Sequence, residues 1–246
     1  GQPIPNYTQE TIVQMAKVFT GWGYYQSTNP TFTGGGGLSE NYLNPMVLYP
    51  AFHDDTAKTI VTGKVLPATQ GGAKDLKDTL DTLFNHPNTA PFISRQLIQR
   101  LVTSNPSPGY IYRVASVFAN NGAGVRGDLG AVVRAILTDY EARSSALLNT
   151  VGHGKAKEPL LRATALLRAY GGATTTTPGG RYTAGSGFSL SNPEGALAQS
   201  AGRATTVFNF YEPDYIYPGI IASAGLFAPE FQIFNDTTAI SAPNYL

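Results

Sequence analysis

Three histidines are available for chemistry in this chain: His53 in "FHDD", His86 in "FNHPNTAPF" and His153 in "VGHGKAKEP". Imidazole with carboxylate is a common ligand set for Zn, Mn or Fe, and a mononuclear site needs roughly three to four such donors to converge. His53, Asp54, Asp55 and His86 could supply that set for a divalent cation, with His153 as a further donor. No H-E-x-x-H spacing occurs, so the convergence would have to be tertiary. His53, Asp54 and His86 could equally act as the acid and base groups of a hydrolase. Each also has a plainer reading. Asp54 or Asp55 can accept backbone N–H bonds and organise a turn. His86-Pro87 can join two helices, with Asn88 or Thr89 capping the second. His153 stands between glycines in a connector.

Other chemistries are narrowed by what is missing. With no cysteine, disulfides, thiolate metal sites and cysteine nucleophiles are excluded. There is no G-x-S-x-G elbow, and "GSG" at 185–187 lacks a strand-turn-helix context. "GGGG" at 34–37 lacks the Lys-Ser/Thr of a phosphate loop. Asp54, Asp55, Glu158, Glu212 and Asp214 fall in loops or at helix ends and could pair for glycoside hydrolysis. Arg95, Arg100, Arg113, Arg162 and Arg168 could form an anion cluster, or could lay their stems along apolar stripes and pair with acids. The stretch "VFNFYEPDYIYPG" alternates aromatic and polar residues. Tyr211, Tyr215 and Tyr217, together with Trp22, could make a sugar-stacking surface. The same stretch could instead cover a helical core with Phe208, Phe210 and Tyr215.

The elements that must position these residues are mainly helical. Ile12, Met15, Ala16, Phe19 and Trp22 recur at helical spacing behind Asn6 or Thr8 as cap. "KTIVTGKVLP" suits a small hairpin near 58–66. Stripes follow at Leu76, Leu80, Leu83 and Phe84; at Ile93, Leu97 and Leu101; at Ile111, Val114, Ala115 and Phe118; and at Leu129, Val132, Val133, Ile136 and Leu137. "EPLLRATALLRAYGG" reads as a fifth such helix, with Pro159 in its first turn. Residues 24–51 read as irregular, and one last helix is expected near 229–241. The expected architecture is a helical core over 1–171 with its hairpin, a Gly/Thr-rich loop over 172–195, and a 196–246 segment packing on the core as part of one domain. The fold class is mainly α, a bundle-like domain with an extended aromatic C-terminal segment.

Composition bounds the partners. Apolar residues make up 42% of the 246 and charged residues 13%, against the usual ~25% charged. A formal net charge of +1 gives no reason to expect nucleic acid or an anionic membrane. No apolar run is long enough for a membrane span. A surface of Thr, Asn, Tyr and Gly leans towards an exported protein. The chain opens on "GQPIPNYTQE", with no charged-then-apolar leader, which suggests a processed product or a fragment.

Six stretches in order carry a family resemblance: "YTQETIVQMAKVFTGW", "FHDDTAKTIVTGKVLP", "LFNHPNTAPFISRQLIQRLV", "RVASVFANNGAGVRGDLGAVVRAILTDYEAR", "KAKEPLLRATALLRAYG" and "TTVFNFYEPDYIYPG…GLFAPEFQIFNDTT". From about Asn6 to the C-terminus the chain resembles the bacterial family catalogued as Domain of Unknown Function 1800. The resemblance implies an exported bacterial protein and a further helical region ahead of this stretch, itself a partner for this portion. It implies no reaction. Its motif positions correspond to Phe19, Thr20, Gly21, Trp22, His53, Asp54, Lys58, His86, Pro87, Thr89, Ala90, Lys157 and Pro159. Some members carry a carboxylate two residues after that proline, where this chain has Leu161. The function expected is a periplasmic, cell-surface or secreted binding protein for polysaccharide or an envelope partner. The alternatives are a polymer hydrolase using His53, Asp54 and His86, or an assembly scaffold.

Overall fold

The computed structural model of the chain describes residues 7–25, 44–169 and 193–245. These group into two compact units, one running to Thr89 and the other beginning at Ala90. Helices dominate, and among the described residues the strands form only two short antiparallel pairs. The mainly α reading with a small hairpin therefore holds.

In the first unit, α1 (Gln9–Val18) starts at Thr8, whose hydroxyl accepts from Thr11 N while the Thr11 hydroxyl accepts from Thr8 N. This reciprocal pair satisfies two orphan donors of the first turn. Strand β1 (Trp22–Gly23) pairs with β2 (Val47–Leu48). That pairing corrects the irregular reading of 24–51 where the chain is described; residues 26–43 of that stretch lie outside the described residues. The expected hairpin is present as β3 (Lys58–Thr59) against β4 (Val65–Leu66), with Lys58 opposite Leu66. Its turn places Thr62 at φ 64 and Gly63 at φ 74. Then α2 (Gly72–Asn85) follows. The core here is small: Val18, Ile60 and Leu66, with Met15 against them.

The second unit is built on α3 (Thr89–Leu101), α4 (Pro108–Ala119) and α5 (Leu129–Thr138). Ser107 caps α4 and Asp128 caps α5, each side chain accepting the backbone N–H three residues on. Ala90, Ile98, Tyr110, Val114, Phe118, Val132 and Ile136 form the core between them. The buried Tyr110 hydroxyl donates to Ile136 O at 2.6 Å, which removes the cost of a buried polar atom. A short α6 (Tyr140–Arg143) is held to α4 by Arg113, whose fork donates to Asp139 and Glu141 at 2.7–2.9 Å. Among the described residues Arg113 thus forms an ion pair of the kind expected for Arg95, Arg100, Arg113, Arg162 and Arg168.

Beyond α7 (Pro159–Ala169) come α8 (Pro193–Leu197), α9 (Ile220–Ser223) and α10 (Asp236–Ser241), the last capped reciprocally by Asn235 and Thr238. The single helix expected over 229–241 is thus a 3₁₀ turn at Pro229–Gln232 followed by α10. The loop expected at 172–195 lies outside the described residues up to 192.

Candidate functional site

The "FHDD" histidine is the centre of a closed polar network. Its Nδ1 lies 3.0 Å from Thr20 O, and its Nε2 lies 3.1 Å from Asp75 Oδ2. Both ring nitrogens thus lie within hydrogen-bond distance of an oxygen. Asp75 also accepts from Lys58 Nζ at 2.7 Å and from Gln70 Nε2 at 2.5 Å. The side chains of His53, Asp75 and Lys58 are at most 1% exposed. Thr20 Oγ1 donates to Lys17 O and accepts from Asp54 N. Burial pushes the Asp75 carboxyl up, but the bonds from Lys58, Gln70 and His53 outweigh it and hold the group below its ordinary value.

Glycines make this enclosure possible. A Cβ on Gly21, at φ +78, would stand 2.9 Å from His53 N, and one on Gly72 would stand 2.9 Å from His53 Nδ1. Gly21→Ala is therefore expected to lower the thermal midpoint of the first unit well beyond Gly63→Ala. Gly63 has a similar φ of +74, but no atom lies within 4 Å of a Cβ built there. The strained φ costs roughly 1–3 kcal/mol in both, so the excess in Gly21→Ala reports the close approach to the His53 and Tyr49 backbone. Fluorescence of Trp22, the only tryptophan, reads it; equal losses in the two variants would remove the claim.

The connectivity Thr20–His53–Asp75 is that of nucleophile, base and orienting carboxylate. Here the hydroxyl is engaged on both sides and the ring is sealed from solvent, so the geometry positions a loop. The set also does not fit a metal. Lys58 already occupies the carboxylate oxygen nearest His53, and an ammonium there repels a cation. Asp54 is committed to Thr56, which donates to its Oδ1 through both N and Oγ1, and these bonds hold its carboxyl low. Asp55 Oδ1 stands 4.0 Å from His53 Nε2. His86 follows Asp75 by eleven residues on α2, about 16 Å of helix rise, so His53 and His86 do not meet. His86 Nδ1 accepts instead from Asn88 N. Thr89, expected as a helix cap, donates its hydroxyl back to Leu83 O. Among the described residues no three His, Asp or Glu side chains are placed to hold a metal ion.

The aromatic surface is distributed differently from its sequence reading. Tyr211 is buried, its hydroxyl donating to Glu158 Oε1 at 2.6 Å beneath the Arg100 guanidinium, 4.0 Å from the ring centre. Burial and the Glu158 acceptor push this phenol up. Tyr215 and Trp22 are half-buried, while Tyr217 is exposed beside Phe231.

What faces solvent in a formed concavity is a cleft of about 410 Å³ lined by Phe92, Arg95 and Gln96 of α3 and by Phe208, Glu212, Pro213 and Asp214. Positions 92, 95 and 96 share one helix face. One turn further on, Gln99 donates to Pro213 O and Arg100 to Phe208 O and Tyr211 O. Gln232 accepts from Glu212 N at 2.7 Å. Helix α3 thus clamps the aromatic stretch along its own side. Phe92 and Phe208 remain 46% and 36% exposed. The Arg95 guanidinium lies 5.0 Å from the Phe227 ring centre. Among the described residues the side chains of Gln96, Glu212 and Asp214 have no hydrogen-bond or ion-pair partner. Glu212 and Asp214 were legible as loop carboxylates; Phe92 and Gln96 carried no signal beyond their helix.

No described helix is long and apolar enough to cross a membrane. No curated protein and no solved structure matches the chain. The family described as "Protein of unknown function (DUF1800)" matches residues 2–245. The ordered stretches from α1 to the C-terminal aromatic segment all fall within that match, and the chain belongs to the DUF1800 family.

Proposed function

We propose that this protein is an extracytoplasmic bacterial binding protein whose ligand is a polysaccharide, held in the cleft on α3. The observation that carries the reading is the cleft's composition. Two exposed phenyl rings stand with an arginine, a glutamine and two carboxylates, and the last three side chains are unengaged among the described residues. Sugar rings present apolar C–H faces and a rim of hydroxyls. Aromatic faces take the former, and planar amide, guanidinium and carboxylate groups take the latter. The low charge and Tyr/Thr-rich composition support an exported location. A hydrolase working through His53, Asp54 and His86 has less support, because His53 is sealed, Asp54 is spent on Thr56 and His86 stands apart.

Phe92→Ala and Phe208→Ala are each expected to weaken binding about tenfold, the loss of ~1.4 kcal/mol of ring contact, with helicity unchanged. Glycan arrays followed by titration calorimetry check it. Folded protein that binds no glycan, or binds one equally well in both variants, sinks the reading.

A further inference from the structure

Resting on the polysaccharide reading, we propose that the cleft selects sugars carrying a free primary ammonium, as in de-N-acetylated glucosamine polymers. Glu212 and Asp214 are both exposed, both line the cleft, and neither has a cationic partner among the described residues. Neither arginine near the clamp forms an ion pair with them among the described residues. Arg95 lies against the Phe227 ring, and Arg100 is spent on backbone oxygens and the Tyr211 ring. The two carboxylates therefore face a ligand without an ion-pair partner among the described residues, beside the rings of Phe92 and Phe208 and with Arg95 lining the same cleft.

Carboxylate next to an aromatic face is the chemistry of ammonium recognition. The cation gains a charge-assisted hydrogen bond from one and the negative ring face from the other. A neutral hydroxyl can also donate to a carboxylate, but it adds neither the opposite charge nor the attraction of a cation to the ring face, and the two carboxylates disfavour an acidic sugar. Gln96 and Arg95 remain to meet hydroxyls of the same ring or its neighbour. Backbone support keeps the carboxylates in place, since Pro213 between them is tied to Gln99, and Glu212 N to Gln232.

Titration calorimetry on the whole chain, with glucosamine oligomers and N-acetylglucosamine oligomers of equal length, tests this. The amine form is expected to bind at least about tenfold more tightly, the size of one charge-assisted bond. Glu212→Gln and Asp214→Asn should each erase most of that preference, and added salt should weaken the amine form selectively. These variants are nearly isosteric at exposed positions, so circular dichroism should stay unchanged. Equal binding of the two oligomers, or a preference that survives both variants, overturns the ammonium proposal and leaves the polysaccharide reading standing. Binding of another, neutral glycan in the array with no amine binding has the same effect. Absence of binding to every glycan overturns both.

Discussion

Asp75→Ala destabilises the first unit by about 3–5 kcal/mol, the cost of breaking a buried ion pair from one side. The variant leaves the Lys58 ammonium, at 0% side-chain exposure, without its ion-pair partner and with Thr56 O as its remaining hydrogen-bond acceptor among the described residues. It also removes the acceptor from His53 Nε2 and the partner from Gln70. An uncompensated buried charge is worse than no charge, so the double replacement Lys58→Met with Asp75→Leu should recover most of the loss. Chemical denaturation followed by Trp22 fluorescence reads both. A single variant within 1 kcal/mol of the parent, or a double variant as poor as the single one, would refute the account.

The same group sets an acid limit. Asp75 is held below its ordinary value in the fold, so its contribution to stability is fully present above the unfolded value of about 3.9. It is lost as pH falls from there through the lower folded value. Asp54 and Asp78 are lowered too, by their bonds to Thr56 and Lys74 respectively. Asp75→Asn should therefore shrink the acid limb of the stability profile without abolishing it. A limb as steep as the parent's would place the acid sensitivity elsewhere.

Asp75 is also where reading the sequence stops short. The motif "FHDD" was visible, and so was its promise of a polar cluster, but the acid that completes it comes from α2. The sequence stripe of that helix, Leu76, Leu80, Leu83 and Phe84, is centred about a quarter-turn away. In the structure Leu80 and Phe84 are about half exposed, while Gly72, Asp75 and Thr79 are buried. Hydrophobic spacing establishes that a helix forms; it does not say which face is inward when that face carries a buried ion pair. In α1 the expected Ile12 and Phe19 are exposed and Val18 is fully buried. The second unit was more legible because its core is apolar: Val114, Phe118, Val132 and Ile136 lie where helical periodicity puts them. The cleft could not be read at all as a unit. Phe92 and Asp214 are far apart in the chain, and the tertiary hydrogen bonds of Gln99 and Arg100 help bring their segments together.

That clamp is where stability and binding meet, and Tyr211 is its inner pin. Tyr211→Ala is expected to cost about 3–5 kcal/mol, as for other buried aromatics cut to alanine. The ring is 2% exposed, and Arg100 loses the face it stacks on. Glu158 keeps Gln199 at 2.7 Å but loses the tyrosine hydroxyl, leaving a buried carboxylate short of one donor. Tyr211→Phe separates these effects. It keeps the ring and the Arg100 stack, and drops only the hydroxyl, for about 1–3 kcal/mol. Phe208 and Glu212 flank this residue closely in sequence, so the alanine variant should also weaken glycan binding although Tyr211 does not line the cleft. The phenylalanine variant should bind nearly as the parent does. Because Trp22 lies in the other unit, far-ultraviolet circular dichroism is the probe for unfolding, with calorimetry for the ligand. If Tyr211→Ala lowers stability by less than the phenylalanine change, or leaves binding intact while destabilising, the segment is held by its backbone bonds alone and the clamp does not depend on its pin.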